Sequence, residues 1–288
     1  MRTMLARTCL LASLASPALI SPAALLPALA QSDMKTQQVT ETRGSVTINW
    51  TEGLIQVTGS GSPPDRGNLH QRRLMAERQA LTDAFRQLAE VTQSLRVDAE
   101  TLVRDYTLES PMLKEQVSNL VKNAQRLDTR YLDNGTIEVD LALKLYNSSG
   151  LNGILQPQKH IVPPPPVTLE ADPQPGDYTG VIVDCRGLGL EAALSPAILA
   201  QSGGELYLSE LPFDPDYVIN QGIVGYAHSL SQARQNRRVG SKPLIIKGLS
   251  TSGAYRADVI ISDIDTRRLL GLEAQGKVLS QAKVIFVL

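Results

Sequence analysis

A long apolar stripe with helical periodicity constrains the fold of this chain more than any other feature. Leucine recurs at seven-residue intervals, at Leu74, Leu81, Leu88 and Leu95. Most charged side chains of the segment fall outside this stripe, and the pattern predicts an amphipathic helix over 67–95. Because one apolar face of this length must be covered, we expect the helix to lie on a sheet, with Leu81, Phe85 and Leu88 buried.

Two hairpin patterns around this helix supply the sheet. Residues 44–61 alternate apolar and polar side chains on either side of a turn at 51–53, and Asp133-Asn134-Gly135 is a strong turn sequence before the strict alternation of 137–145. The other predicted elements are strands at 100–108 and 125–132 and a short helix at 111–123. Residues 44–148 are therefore predicted to form an α+β unit, a long helix packed on a small, mostly antiparallel sheet.

The first thirty residues have the pattern of a secretory signal peptide. Arg2 and Arg7 precede an apolar stretch that ends in the small-residue cleavage pattern Ala28-Leu29-Ala30. A membrane anchor is the alternative, but three prolines interrupt the stretch. We therefore expect cleavage after residue 30, a flexible segment over 31–43, and a protein located in the periplasm or cell envelope.

Prolines divide the rest of the chain. Residues 149–177 contain seven prolines, four of them consecutive at 163–166, and this composition predicts an extended linker. Residues 178–288 return to a globular composition in which short apolar runs alternate with helical patterns. Strands are predicted at 181–183, 204–209, 244–247, 259–262 and 283–288, and helices at 217–237 and 265–274. This order predicts a second domain of α/β type.

Composition removes several classes of function. Lys and Arg number 28 against 29 Asp and Glu, a net charge of −1, so no basic face for nucleic acid is indicated. Three scattered histidines and two cysteines favour neither a metal site nor a disulfide framework. Cys185 follows an apolar run and is expected to be a buried thiol at the end of a strand. The sequence predicts no catalytic residue, no cofactor and no metal.

One turn of the second domain is the candidate ligand or partner site. Asp184, Arg186, Gly187 and Gly189 follow the predicted strand at 181–183, and in open α/β sheets ligands bind outside the carboxyl ends of strands. Residues 187–192 also fit G-x-G-x-x-A, a dinucleotide-binding pattern, but Pro196 would interrupt the helix that this function requires. The structural alternative is that Arg186 pairs with Asp184 while the glycines permit the turn.

The first domain resembles a known family. The resemblance is carried by Trp50, Gly59, Pro63-Pro64, the spacing Ala76-x-x-Gln79-Ala80-x-x-Asp83-Ala84-x-x-Gln87-Leu88, Val97, and Gly135-Thr136-x-Glu138-Val139. Residues 44–148 resemble a bacterial envelope module shared by small outer-membrane lipoproteins and the N-terminal domain of flagellar assembly protein T. The resemblance implies a long helix on a small sheet and supplies no catalytic residue. The chain lacks the lipidated cysteine of the lipoprotein members. The resemblance therefore implies at most peripheral association with a membrane.

The second half resembles a segment common after this module in uncharacterised exported proteins. The matching residues are Tyr178-Thr179-Gly180, Asp184, Arg186-Gly187-Leu188-Gly189, Ser195-Pro196 and Gly225-Tyr226-Ala227. The leading hypothesis is a periplasmic, non-enzymatic structural or assembly protein that contacts envelope proteins, with flagellar or outer-membrane assembly as the process to which the resemblance links it. The alternatives are an envelope binding module that holds a small ligand or glycan in its C-terminal domain, and a hydrolase.

Overall fold

The computed structural model describes residues 38–155, 168–207, 215–276 and 278–288. The predicted signal peptide lies outside these residues, as do the four consecutive prolines of the predicted linker. The ends of the predicted linker are described: residues Leu151–Leu155 form a helix with Leu151 and Leu155 buried, so this part of it is not extended.

An antiparallel sheet of five strands forms the base of the N-terminal domain, which we define as residues 40–155. Its spatial order is β1-β2-β3-β5-β4. The strands are Thr40–Arg43 (β1), Val46–Asn49 (β2), Leu54–Gly61 (β3), Gln125–Tyr131 (β4) and Ile137–Lys144 (β5). Both predicted hairpins are present. Residues 40–43, which were expected to be flexible, instead form the edge strand β1 against β2.

The predicted long helix is α1, Leu69–Gln93, and it lies across β3 and β5. Its buried line differs from the leucine stripe, because the alanines at 76, 80 and 84 are all fully buried. They face β3, where a Cβ on Gly59 would lie 2.2 Å from the Ala80 carbonyl oxygen. A Cβ on Gly61 would lie 2.1 Å from the Ala76 carbonyl oxygen, so the close approach of helix and sheet requires glycine on one side and alanine on the other.

This close packing corrects part of the predicted core. Leu88 and Leu95 are buried as expected, but Leu81 and Phe85 are only partly buried and Leu74 is 43% exposed. The alanines bring the helix axis close to the sheet, and the leucines that flank this line are turned towards its sides. The heptad spacing identified the helix correctly. The face of the helix that is buried, however, follows the alanines and not the leucine stripe.

Two short helices follow α1. They are Val103–Glu109 (α2) and Pro111–Lys122 (α3), and a third, Leu151–Leu155 (α4), follows β5. The strand predicted at 100–108 is wrong, because Val103, Tyr106 and Thr107 are buried at the spacing of a helix. The helix predicted at 111–123 is confirmed, and the hydroxyl of Ser110 caps its start.

A parallel sheet forms the centre of the C-terminal domain, residues 180–288. Its order is β10-β6-β13-β9, formed by Pro243–Lys247 (β10), Gly180–Asp184 (β6), Val284–Val287 (β13) and Gly225–Ala227 (β9). Short helices at Pro215–Gln221 (α5) and Leu230–Gln235 (α6) flank β9 along the chain. The single helix predicted at 217–237 is therefore wrong. Gly222, at φ +73°, follows α5, and residues 225–227 pair with β13.

A second, mixed sheet completes this domain. Its order is β11-β12-β7-β8, formed by Ser250–Ser252 (β11), Asp258–Ile261 (β12), Ile198–Ala200 (β7) and Glu205–Tyr207 (β8). The helix Asp263–Gly276 (α7) follows β12, close to the predicted 265–274. Described residues at the end of the predicted linker pack on this helix, since the Asp172 amide donates to the Arg267 carbonyl at 2.9 Å. The chain thus has a two-domain α+β architecture.

Candidate functional site

The candidate turn lies at the carboxyl end of β6, between β10 and β13. Gly187 and Gly189 have φ angles of +79° and +66°, the left-handed region that favours glycine. The Leu188 amide closes the turn by donating to the Cys185 carbonyl at 3.1 Å. The backbone conformation therefore accounts for both glycines without a ligand.

Asp184 and Arg186 lie together in this turn and bind each other. The guanidinium donates from Nε to Oδ1 and from Nη2 to Oδ2 of Asp184, each at 2.7 Å. These hydrogen bonds lower the pKa of the Asp184 carboxyl below its usual range. The side chains are 21% and 49% exposed, so the pair is open to solvent. The structure brings all four predicted site residues together, with the two charges neutralising each other.

The dinucleotide alternative lacks its helix. Residues 190–197 are described, and they run without helical structure from the turn to β7. A dinucleotide-binding turn needs a helix N-terminus there to receive the pyrophosphate. The Leu194 and Ser195 amides instead donate to the carbonyls of Arg96 and Val97, at 3.1 and 2.7 Å. This segment therefore serves the contact between the two domains.

Cys185 has the environment of a structural thiol. It is 1% exposed, and burial raises the pKa of its thiol to about 12. A reactive cysteine needs a lowered pKa and access to solvent. Within the residues that the structure describes, no three His, Cys, Asp or Glu side chains are close enough together to hold a metal ion.

The sequence did not predict the contact between the domains, although Trp50 and Tyr226 are among the residues that carry the two resemblances. Trp50 packs edge-on against Tyr226, with ring centroids 5.8 Å apart. The Tyr226 hydroxyl accepts from the Ala193 amide at 2.9 Å and donates to the Ala193 carbonyl at 2.8 Å. The Trp50 indole donates to Glu41 at 2.8 Å, and Arg96 forms an ion pair with the same carboxylate.

Arg96 links both domains. It is 11% exposed, and its Nε donates to the Ala192 carbonyl at 2.7 Å, while Glu191 lies 3.5 Å from its Nη2. The Tyr146 ring makes a further contact between the domains, because it packs against Gly53 of one domain and Gly222 of the other. A Cβ on Gly53 or Gly222 would lie 2.3 or 2.5 Å from the Tyr146 ring. No sequence signal marks these partners, because they are far apart in the chain.

Two shallow clefts open on the N-terminal domain. One, of about 600 Å³, lies beside α3 and is lined by Leu120 and Ile154 together with amide and hydroxyl side chains such as Gln116, Asn119 and Ser148. The other, of about 530 Å³, lies between α1 and β3 and includes Arg78, Asp83 and Arg86. Asp83 and Arg86 bind each other at 2.7 Å. Neither cleft includes a residue of the candidate turn.

The first two turns of α1 expose apolar side chains. Leu69 is 82% exposed, Met75 is 55% exposed and Leu74 is 43% exposed. Two arginines of the same helix, Arg72 and Arg73, lie near them. Arg72 donates to the Pro64 carbonyl at 2.7 Å, and the Arg73 guanidinium lies 4.0 Å above the ring of Tyr131. We call Leu69, Leu74 and Met75 the α1 tip.

Among the helices that the structure describes, none combines the length and apolarity required to cross a membrane. Residues 180–288 match the family described as Treponema pallidum Tp0624, second domain. A comparison with curated proteins finds no match. The family match begins at the first residue of β6 and extends to the last residue of the chain. The C-terminal domain is therefore similar to the second domain of Treponema pallidum Tp0624 and follows an N-terminal helix-on-sheet domain.

Proposed function

We propose that this protein is an exported, non-enzymatic structural or assembly protein of the bacterial envelope, acting through protein–protein contact. The observation that carries the proposal is the α1 tip, where three large apolar side chains stay exposed on an ordered helix. Burying apolar surface is worth roughly 25 cal/mol per Å², so a partner that covers these side chains gains binding free energy. Successive residues of an α-helix are rotated by about 100°, so these three side chains project on different sides of the start of α1, and a partner that covers them must surround this end of the helix.

The start of α1 is held in place, which makes the tip a defined surface. Asn68 and Gln71 form a capping box, in which the Gln71 amide donates to Asn68 Oδ1 at 2.8 Å. The reciprocal bond runs from the Asn68 amide to Gln71 Oε1 at 3.2 Å. Since the first turn is capped, a partner would pay little ordering entropy to bind Leu69 and Met75.

The envelope setting rests on the signal-peptide pattern and on the resemblance of residues 44–148. A link to flagellar or outer-membrane assembly follows from the same resemblance and is part of the proposal. The partner is an envelope protein, and membrane association is at most peripheral.

Site-specific photo-crosslinking in the native host tests this function. A photoreactive amino acid replaces Leu69 or Met75, and Ile264 serves as the matched control because it is a 74% exposed apolar residue on α7. We expect discrete protein adducts from positions 69 and 75 in the envelope fraction, and none from position 264. Adducts with lipid alone, or the same adducts from all three positions, would contradict the proposal.

A further inference from the structure

The strand β4 is an open edge of the N-terminal sheet. It pairs with β5 on one side, and no described strand pairs with its other side. Beyond its end, the Leu132 amide donates to the Thr136 carbonyl at 2.9 Å, and Arg130 lies opposite Glu138. Since backbone groups of successive residues point to opposite edges, Thr129 and Tyr131 turn theirs away from β5.

The edge is long and partly apolar. Leu127, Tyr131 and Leu132 are 46%, 51% and 41% exposed. The opposite edge, β1, has four residues, whereas β4 has seven. A long exposed edge with apolar side chains is a template for pairing with another strand.

The sequence of β4 complements itself when two copies run antiparallel about Thr129. In that register, Asp128 lies opposite Arg130 of the second copy. The ladder of β4 is irregular between Arg126 and Asp128, so Leu127 lies near Tyr131 of the second copy without a regular strand pairing. Opposite charges and apolar pairs directly across two strands both stabilise a sheet. Moving the axis to Asp128 would place Asp128 opposite itself and Arg126 opposite Arg130, which is unfavourable. Charge therefore favours the register about Thr129 over the register about Asp128.

The backbone favours the same register. Thr129 and Tyr131 both turn their N–H and C=O groups outward, so pairing about Thr129 joins outward-facing residues of the two copies. In the single chain, Asp128 Oδ1 accepts a hydrogen bond from the Thr129 amide at 2.7 Å, so this outward-facing donor already has a partner. The Asp128 side chain is 64% exposed and lies 3.9 Å from Arg130. Arg130 is already bound by Glu138 at 3.0 Å and by Asp140, so Asp128 of a second copy joins an existing ion-pair network when the Thr129 amide finds a backbone partner.

We infer that two copies of this chain pair through β4, antiparallel about Thr129, and join their sheets into one continuous sheet. The inference concerns a different surface from the α1 tip and does not depend on the proposed function.

Sedimentation velocity of the full chain tests the pairing. We expect a concentration-dependent dimer, and Asp128→Arg should weaken it at least about tenfold, because the variant places like charges opposite each other twice in a two-fold contact. Asp65→Arg is the matched control, since it makes the same charge change at an exposed site outside the sheet. Circular dichroism checks that both variants fold.

A disulfide tests the register. In a Cys9→Ser background, Thr129→Cys should form a disulfide-linked dimer on mild oxidation, because residues opposite each other at the axis lie within bonding range. Thr42→Cys, on β1, should not. A wild-type chain that stays monomeric at every concentration, or a dimer that Asp128→Arg leaves intact, would overturn the inference. So would a disulfide that forms equally well at position 42.

Discussion

Arg186 illustrates how a residue that suggests a binding site is engaged within its own turn. The Nε and Nη2 groups of its guanidinium both donate to the Asp184 carboxylate. Gly187 and Gly189 adopt the positive φ angles that the turn needs. A ligand at this turn would have to compete with the Asp184 carboxylate for the guanidinium. The geometry therefore favours the structural interpretation, and ligand binding at the turn stays a prediction.

Arg186→Ala separates these two interpretations. Hydrogen bonds from Arg186 are the largest cause of the lowered Asp184 pKa, so the variant should raise this pKa towards its usual value. A carboxyl with a depressed folded-state pKa stabilises the fold above its unfolded pKa, and this contribution is lost as the pH falls through the folded pKa. Acidification should therefore destabilise the wild type more than the variant.

The measurement is an NMR pH titration of the Asp184 carboxyl carbon, together with melting curves at pH 7 and in acid. At pH 7 we expect the variant to melt slightly below the wild type, and the difference to vanish in acid, because the exposed ion pair contributes little and is lost when Asp184 is protonated. If partner binding in the envelope disappears while the fold persists, the turn is a binding site and the structural interpretation is wrong.

At the scale of the element, α1 shows that two kinds of apolar residue share one helix. Leu88 is fully buried beside the alanine line, whereas Leu74 lies in the exposed α1 tip. The two leucines occupy the same heptad position, so the sequence pattern does not distinguish them. The sheet beneath the helix decides which one enters the core.

Leu88→Ala should lower the free energy of unfolding by about 2–5 kcal/mol, the usual range for a buried leucine. Leu74→Ala is the control at the equivalent heptad position and should cost less than about 1 kcal/mol, since its side chain is 43% exposed. Denaturant unfolding followed by circular dichroism measures both. Equal losses for the two variants would mean that the described packing of α1 is incorrect.

At the scale of the whole molecule, the two domains share one hydrophobic core. The largest cluster of buried residues contains Trp50 and Leu88 from one domain and Tyr226 and Phe286 from the other. Tyr226 packs edge-on against Trp50 at 5.8 Å and against Phe286 at 6.3 Å, so its ring joins side chains of both domains. Interfaces between domains that are only tethered are smaller and more polar.

A chain cut between its domains should therefore stay associated. We expect that a protease site inserted after residue 160, once cleaved, leaves both pieces in one peak on gel filtration. Trp50→Ala in the same cleavable chain should promote their separation, because it removes the ring that packs on Tyr226. Pieces that separate in native buffer while keeping their circular dichroism spectra would show that each domain has an independent core.

Local patterns determined much of this protein. Strict alternation over 137–145 predicted β5, the heptad leucines predicted α1, and the apolar run at 181–183 predicted β6, because each depends on the period of its own side chains. The candidate turn was also predicted as a cluster, since its four residues are neighbours in the chain.

The tertiary structure alone decided the packing of α1, the strand at 225–227 inside a predicted helix, and the union of the two domains. The close approach of α1 to the glycines of β3 buries the alanines of the helix. Residues 225–227 form a strand because they pair with β13. Arg96 finds its partners 55 and 95 residues away, at Glu41 and Glu191. These outcomes depend on the shape and charge of two surfaces at once, and the periodicity of a single segment contains no information about the surface that it will meet.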